Sequence, residues 1–301
     1  MTSNLAASVR GRLLNLARTE SADFGLILNR YGRERLLYRL SQSAQHERFI
    51  LKGATLFESW TGKAYRPTRD VDLLGSGSSD VADLVRTFKE ICAVRVEDDG
   101  LVFLPHSVRG EEIREPQDYP GVRLKLLAKL EAAEIDLQVD IGFGDAVNPD
   151  PQLMTLATLL DFPAPSVRSY PKETVVAEKY EAMVRFGMAN SRMKDFYDIL
   201  ILARDFDFDG DPLSVAIKRT FDCRKTALPV DEPIALTNEF ASDVAKKQQW
   251  NAFVGKIGEA EISKELGAVV DNIRTFLWPP AKAAAQSLVM KKRWSAGGAW
   301  T

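Results

Sequence analysis

Arg69-Asp70-Val71-Asp72-Leu73-Leu74, taken with the upstream turn Lys52-Gly53-Ala54-Thr55, decides how this chain folds. Side chains alternate across a strand, so Asp70 and Asp72 share one face while Val71 and Leu73 point the other way, into a core. Two carboxylates a few ångströms apart repel unless a cation lies between them. On a structured element such a pair points to a divalent metal with oxygen ligands, and from there to phosphate chemistry.

Outward from this strand the chain alternates short apolar runs with helical patterns. Leu5, Val9, Leu13 and Leu16 recur at helical spacing, and a second helix is predicted from about Ala22 to Ser41, forming a helical hairpin with the first. Phe49-Ile50-Leu51 reads as a strand ending at Gly53, followed by a helix over Thr55 to Trp60. The strand at Val71 to Leu74 stops at Gly75-Ser76-Gly77-Ser78, and Val81 to Ile91 reads as helix. A hairpin is predicted about Asp99-Gly100, between Val94-Arg95-Val96 and Leu101-Val102-Phe103. Strands at Val122 to Leu127 and Ile135 to Ile141 are joined by Glu131-Ala132-Ala133-Glu134. In the second of them Ile135, Leu137, Val139 and Ile141 alternate with Asp136, Gln138 and Asp140, a further acidic strand face.

Pro163, Pro165 and Pro171 punctuate the chain, and beyond them the pattern is almost wholly helical. The fold class expected is α+β (mixed α/β), with an N-terminal lobe over residues 1–165 and a helical C-terminal lobe over 166–301; the tail from Ser295 to Thr301 reads as loose. At 301 residues and 45% hydrophobic content there is enough chain for two cores. No apolar run reaches membrane-spanning length, and Arg10, Arg12 and Arg18 interrupt the start as no secretory leader would, so the expected location is cytoplasmic with no membrane partner. Cys92 and Cys223 lack both disulfide-framework and zinc-type spacing, and His46 and His106 leave little room for imidazole chemistry.

A net charge of -2 gives no global nucleic-acid signature. A nucleic-acid partner would need a local basic face. The candidates are the series Arg10, Arg12, Arg18, Arg30, Arg33, Arg35, Arg39, whose simpler reading is a solvated helix surface, and the group Lys52, Lys63, Arg66, Arg69 beside the acidic pair.

Phosphoryl and nucleotidyl transfer ask a protein to bind a polyphosphate and neutralise developing charge, usually with magnesium. Asp70 and Asp72 would supply two ligands, and Asp140 is the candidate third, with Asp136 on the same strand face. Gly53-Ala54-Thr55, between a strand and a helix, suits a phosphate because glycine permits close backbone approach. In the helix after Pro171, Lys179 falls within an apolar stripe of Val175, Val176, Ala182, Met183 and Phe186. Asp198 sits among aromatic and branched neighbours and needs a cation, for which Lys179 or Arg192 would serve.

Together, Lys52-Gly53-Ala54-Thr55, Arg66-Pro67-Thr68-Arg69-Asp70-Val71-Asp72-Leu73, Ala177-Glu178-Lys179 and Arg192-Met193-Lys194-Asp195-Phe196-Tyr197-Asp198 resemble the AbiEii/AbiGii toxin family of nucleotidyltransferases, which includes the MenT toxins. The resemblance runs from the Arg35 to Ser41 segment through Asp198. It implies a DNA polymerase β-like nucleotidyltransferase lobe with a mixed β-sheet, followed by a helical lobe. It also implies the toxin half of a toxin–antitoxin pair, with a cognate antitoxin carrying a winged-helix DNA-binding domain, and transfer of nucleotides from NTP to RNA, in some relatives the tRNA 3′ acceptor end. By motif, Asp70, Asp72, Lys179 and Asp198 are implied as catalytic, Lys52, Gly53, Ala54, Thr55, Arg69 and Lys179 as NTP-binding, and Asp70 and Asp72 as ligands of Mg2+ or Mn2+, to which the strand pattern adds Asp140 as the expected third. Ala54 stands where glycine or serine is usual, and the interval from Gly53 to Asp70 is longer than in the broad nucleotidyltransferase pattern. Transfer to a protein or small molecule, and a non-catalytic nucleotide-binding module, remain as alternatives.

Overall fold

The computed structural model describes residues 2–62, 68–113, 121–257 and 262–301. The chain divides into two compact units, residues 1–144 with 152–170, and residues 145–151 with 171–301. The first unit extends through Tyr170 because its last strand pairs with its first.

In the first unit α1 (Thr2–Thr19) and α2 (Phe24–Ser41) lead into β1 (Phe49–Lys52), α3 (Thr55–Thr61), β2 (Asp70–Gly75) and α4 (Val81–Cys92). Then come β3 (Leu101–Phe103), β4 (Arg109–Ile113), β5 (Gly121–Leu130), β6 (Ala133–Phe143), β7 (Gln152–Thr155) and β8 (Ser166–Ser169). One mixed eight-stranded sheet results, in the order β3-β5-β6-β2-β1-β8-β7, with β4 also on β5. β2 is central, parallel to β6 and antiparallel to β1. Its side chains sort as the alternation requires. Leu51, Leu73, Ile141 and Val122 lie in register as an apolar row, all buried. That face is covered by helices: a Cβ at Gly32 of α2 would come within 3.1 Å of both Ile135 and Leu137 of β6, so the missing side chain lets the helix settle on the sheet.

The predicted hairpin about Asp99-Gly100 does not form. Val94-Arg95-Val96 carries no strand, and β3 pairs with β5 instead, Leu101 opposite Leu130. The cause is a buried ion pair. Arg39 of α2 donates to both oxygens of Asp99 at 2.8 and 3.0 Å, and Tyr31 Oη donates to the Asp99 carbonyl at 2.7 Å. Asp99 keeps its local turn bond, accepting from Leu101 N–H at 3.1 Å, but it is also held by a helix sixty residues away, and the turn leads into β3 without a partner strand before it.

In the second unit α5 (Lys172–Phe186), α6 (Met193–Asp205), α7 (Gly210–Arg224), α8 (Asn238–Ser242), α9 (Val244–Ile257) and α10 (Leu266–Gln286) are joined by one small pairing, β9 (Phe208–Asp209) with β10 (Arg293–Trp294). Residues 145–151 belong here because Arg224 clasps Asp145 at 2.9 Å and Glu181 of α5 at 2.9 Å, while Thr174 bonds both backbone groups of Asn148.

The tail predicted to be loose is fixed. α10 contains Pro279 and Pro280, and Pro280 has no N–H to offer the Phe276 carbonyl one turn back. Trp300 Nε1 takes that carbonyl at 2.9 Å, its ring stacks on Phe276, and Thr301 exchanges backbone bonds with Arg293. Among the described residues no helix is long and apolar enough to cross a membrane.

Breaking a buried pair strands one charge in the core, at roughly 3–5 kcal/mol. Asp99→Ala is accordingly expected to lower the unfolding free energy of the first unit by about 3 kcal/mol or more, measured by urea denaturation.

Candidate functional site

The sheet register lays four charged side chains in a single row. Lys52 of β1 stands opposite Asp72 of β2, Asp72 stands beside Asp140 of β6, and Asp140 stands opposite Arg123 of β5. Cross-strand partners share a face, and neighbouring strands lie about 4.8 Å apart. The row thus reads cation, carboxylate, carboxylate, cation. The next row toward the start of β2 holds Asp70, Gln138 and Lys125. Asp70 and Asp72 are half-buried, with Val71 buried between them on the opposite face.

The two central carboxylates lean in opposite directions. Asp72 leans over Gly53: a Cβ there would fall within the Asp72 carboxylate, and the backbone at Gly53 is left-handed at φ 78°. Glycine is needed twice over, for the conformation and for the space. Asp140 leans the other way, onto Arg123, whose Nε donates to Oδ1 at 2.9 Å and Nη2 to Oδ2 at 2.7 Å; Gln138 Nε2 adds a bond to Oδ1 at 3.1 Å. The bond to Asp140 holds the Arg123 guanidinium above its ordinary pKa against the opposing effect of burial, with the charges of Asp140, Asp70 and Glu111 adding to it.

Lys52 reaches over β6. Its Nζ would lie 3.1 Å from a Cβ on Gly142, so that glycine leaves room for the ammonium. The Gly53-Ala54-Thr55 turn behind it closes with Leu56 N–H donating to the Gly53 carbonyl at 3.3 Å and Phe57 N–H to the Ala54 carbonyl at 3.2 Å. α3 has only seven residues, so its dipole is slight, and the turn's value for an anion rests on the glycine and on Lys52. Arg33 of α2, at 5% exposure, supports the turn from below, with Nη1 donating to Thr55 Oγ1 at 3.2 Å. Burial lowers the Arg33 pKa, and the charges of Glu58, Asp70 and Asp72 work against that loss.

The other predicted residues are placed as follows. Arg69 is exposed at the entry to β2, and Asp136 is exposed opposite Leu127, in a row well away from Asp72. Lys63 and Arg66 lie outside the described residues. The N-terminal arginine series divides: Arg12 and Arg18 are exposed on α1, as a solvated helix surface has them, while the α2 members are drawn into the fold. Arg33, Arg35 and Arg39 are buried, Arg30 pairs with Glu58, and Arg10 and Arg12 pair with Glu131 and Asp161.

Within the second unit Lys179 of α5 donates to Asp195 Oδ1 at 2.8 Å and contacts Asp198 Oδ2 at 2.7 Å, and Arg192 Nε donates to Asp195 Oδ2 at 2.7 Å. This explains a lysine in an apolar stripe. Asp195, passed over in the sequence, is the hub: it is 1% exposed and three residues from both Arg192 and Asp198 on one helix face. Burial alone would raise its pKa, but Lys179 and Arg192 outweigh that and hold it at about 2.

Asp70 and Asp72 are hard oxygen donors of the kind magnesium and manganese take, so the residues present fit such an ion. Among the described residues no three acidic, histidine or cysteine side chains converge as a metal cluster. Asp140 is in the right row but is engaged by Arg123. The site can therefore hold a cation at the Asp70–Asp72 edge and anionic oxygens over the Lys52–Gly53 corner.

Two consequences can be measured. Gly53→Ala is expected to destabilise the first unit by about 1–2 kcal/mol from backbone strain alone, and to push Asp72 off the turn; urea denaturation checks it. A carboxylate depressed from 3.8 to about 2 stabilises the fold above pH 4 and loses that contribution as pH falls toward 2. Asp195→Asn is expected to lose about 2 kcal/mol or more at pH 7 and to flatten the acid limb of the stability profile between pH 4 and 2, read from thermal melts across that range.

Two crystal structures of Helicobacter pylori proteins overlap with the chain at 13% identity each. One, described as a candidate nucleotidyltransferase, covers 84% of this chain and 92% of its own at a TM-score of 0.44; the other, JHP933, covers 84% and 94% at 0.42. At that level of overlap they add nothing to the assignment, and no curated protein matches the chain in sequence. The decisive match is to a family. Residues 35–277 fit the family described as nucleotidyl transferase AbiEii toxin, type IV TA system, and span the central strands, the carboxylate row and the Lys179 cluster; the chain belongs to this family of toxin–antitoxin nucleotidyltransferases.

Proposed function

We propose that the protein binds an NTP with Mg2+, or Mn2+ in its place, at Asp70 and Asp72 and transfers the nucleotidyl group to RNA, the tRNA 3′ acceptor end being the acceptor we favour. The observation that carries this reading is the packing of the Asp72 carboxylate on the Gly53 turn, with Lys52 in register beside it. A metal-binding edge and a phosphate-binding corner are thereby adjacent on one sheet face.

The metal, when bound, would neutralise charge on the triphosphate. The chain supplies the rest. Asp70 and Asp72 hold the ion. Lys52 and the backbone at Gly53, Ala54 and Thr55 receive phosphate oxygens, with Arg33 bracing Thr55. By its motif we assign Lys179, paired with Asp195 and Asp198, as a triphosphate contact. An acceptor hydroxyl oxygen bonds to the α-phosphorus as the α–β phosphoanhydride bond breaks, pyrophosphate leaves, and the hydroxyl proton passes to solvent. Because the family is one of toxin–antitoxin systems, a cognate antitoxin is implied; we propose a winged-helix DNA-binding protein in that role, and a cytoplasmic site of action.

The test is to incubate the full chain with MgCl2, each α-labelled NTP in turn, and either total tRNA or a cell lysate. Label in RNA that disappears with Asp72→Ala, at unchanged melting temperature, is the expected result. Lys179→Met is expected to lower the rate by about a hundredfold or more, the order of effect of losing one preorganised charge contact. Label in protein would move the acceptor assignment, and no label with any NTP would overturn the reading.

A further inference from the structure

Asp140 occupies the position from which a third carboxylate would complete a two-cation site, yet its oxygens are turned away from Asp72. Arg123 grips both of them in a fork at 2.9 and 2.7 Å, and Gln138 adds a third donor at 3.1 Å. A planar guanidinium on a carboxylate is the most geometrically specific cation–anion pairing a protein makes. The row confirms the balance of charge: Lys52 and Arg123 flank Asp72 and Asp140, two cations to two carboxylates.

We propose that Arg123 is a built-in counter-cation that withholds Asp140 from metal, so that the carboxylate face takes one divalent cation, at Asp70 and Asp72, and not two. The inference rests on the reading of Asp70 and Asp72 as metal ligands. From the β5 side, away from Asp72, Arg123 engages with a fixed protein charge the carboxylate that a second ion would need. In this role it is a positioning residue, acting through Asp140. Its side chain is about a third exposed, at 35%, so it can be replaced without opening the core. With Arg123 made neutral, Asp140 stands uncompensated one strand away from Asp72, and mutual repulsion there draws in a second cation.

The experiment uses Mn2+ as the probe, titrated into the full-length chain and followed by the electron paramagnetic resonance signal of free Mn2+. The wild type is expected to bind one Mn2+, which Asp72→Asn abolishes and Asp140→Asn leaves unchanged. Arg123→Met is expected to bind a second Mn2+ at least about tenfold more tightly than the wild type does, and Asp140→Asn in that background is expected to remove it. Arg123→Lys, which keeps the charge, is expected to remain at one ion; it stands in should the methionine variant fail to melt cooperatively, because two ions bound there would show that charge at this position does not set the count. Two Mn2+ in the wild type, loss of the single ion in Asp140→Asn, or one ion in Arg123→Met would each overturn the proposal. No Mn2+ in the wild type would instead overturn the metal reading itself.

Discussion

Two carboxylates side by side on adjacent parallel strands repel each other, and the first unit is arranged around containing that repulsion. Lys52 and Arg123 close the row at either end, so four strands present a neutral line of charge across the polar face of the sheet. Space for this is made by absence: Gly53 gives room to the Asp72 carboxylate and Gly142 to the Lys52 ammonium. The opposite face carries none of this, since alternation sends Leu51, Leu73, Ile141 and Val122 into the core beneath α2. One register therefore specifies both the hydrophobic core and the charged row. A slip by a single residue would exchange them.

The second unit handles its charges by the same rule, under deeper burial. Lys179 is shared by Asp195 and Asp198, and Arg224 by Asp145, Glu178 and Glu181, so that each buried carboxylate meets a cation on a neighbouring segment. The prolines of α10 show a related economy. The carbonyl that Pro280 leaves unpaired is the one that Trp300 uses to anchor the last residues on Phe276.

What could be read from the sequence is what depends on short-range patterns. The strand at Asp70, the helix at Val81 and the facing of Asp70, Val71 and Asp72 follow from alternation and from glycine punctuation. What could not be read depends on partners far along the chain. Asp99-Gly100 has local turn chemistry, but Arg39 decides its role. Arg33, Arg35 and Arg39 look solvated on a helix because nothing local shows the Thr55, Pro163 and Asp99 groups that receive them. Asp195 was overshadowed by Asp198, although the spacing of Arg192, Asp195 and Asp198 places all three on one helix face. The Arg123–Asp140 pair was within reach: counting back from the two-residue turn at Glu131 and Ala132 sets these two residues opposite each other. Missing was the exact length of both strands, since the pairing register cannot be counted until the turn is placed.

The order of the strands also bears on how the row is assembled. Arg123 and Asp140 lie seventeen residues apart on the β5–β6 hairpin, and Lys52 and Asp72 lie within the β1–β2 pair, so both are short closures that form early. Of the three pairings that make the row, the parallel contact of β2 with β6 is the longest in range, and it is the one that brings the two carboxylates together. Each half arrives already neutral, one carrying its lysine and the other its arginine. The chain thus need not press two bare carboxylates together against water: the longest-range pairing in the row joins two prepaired halves.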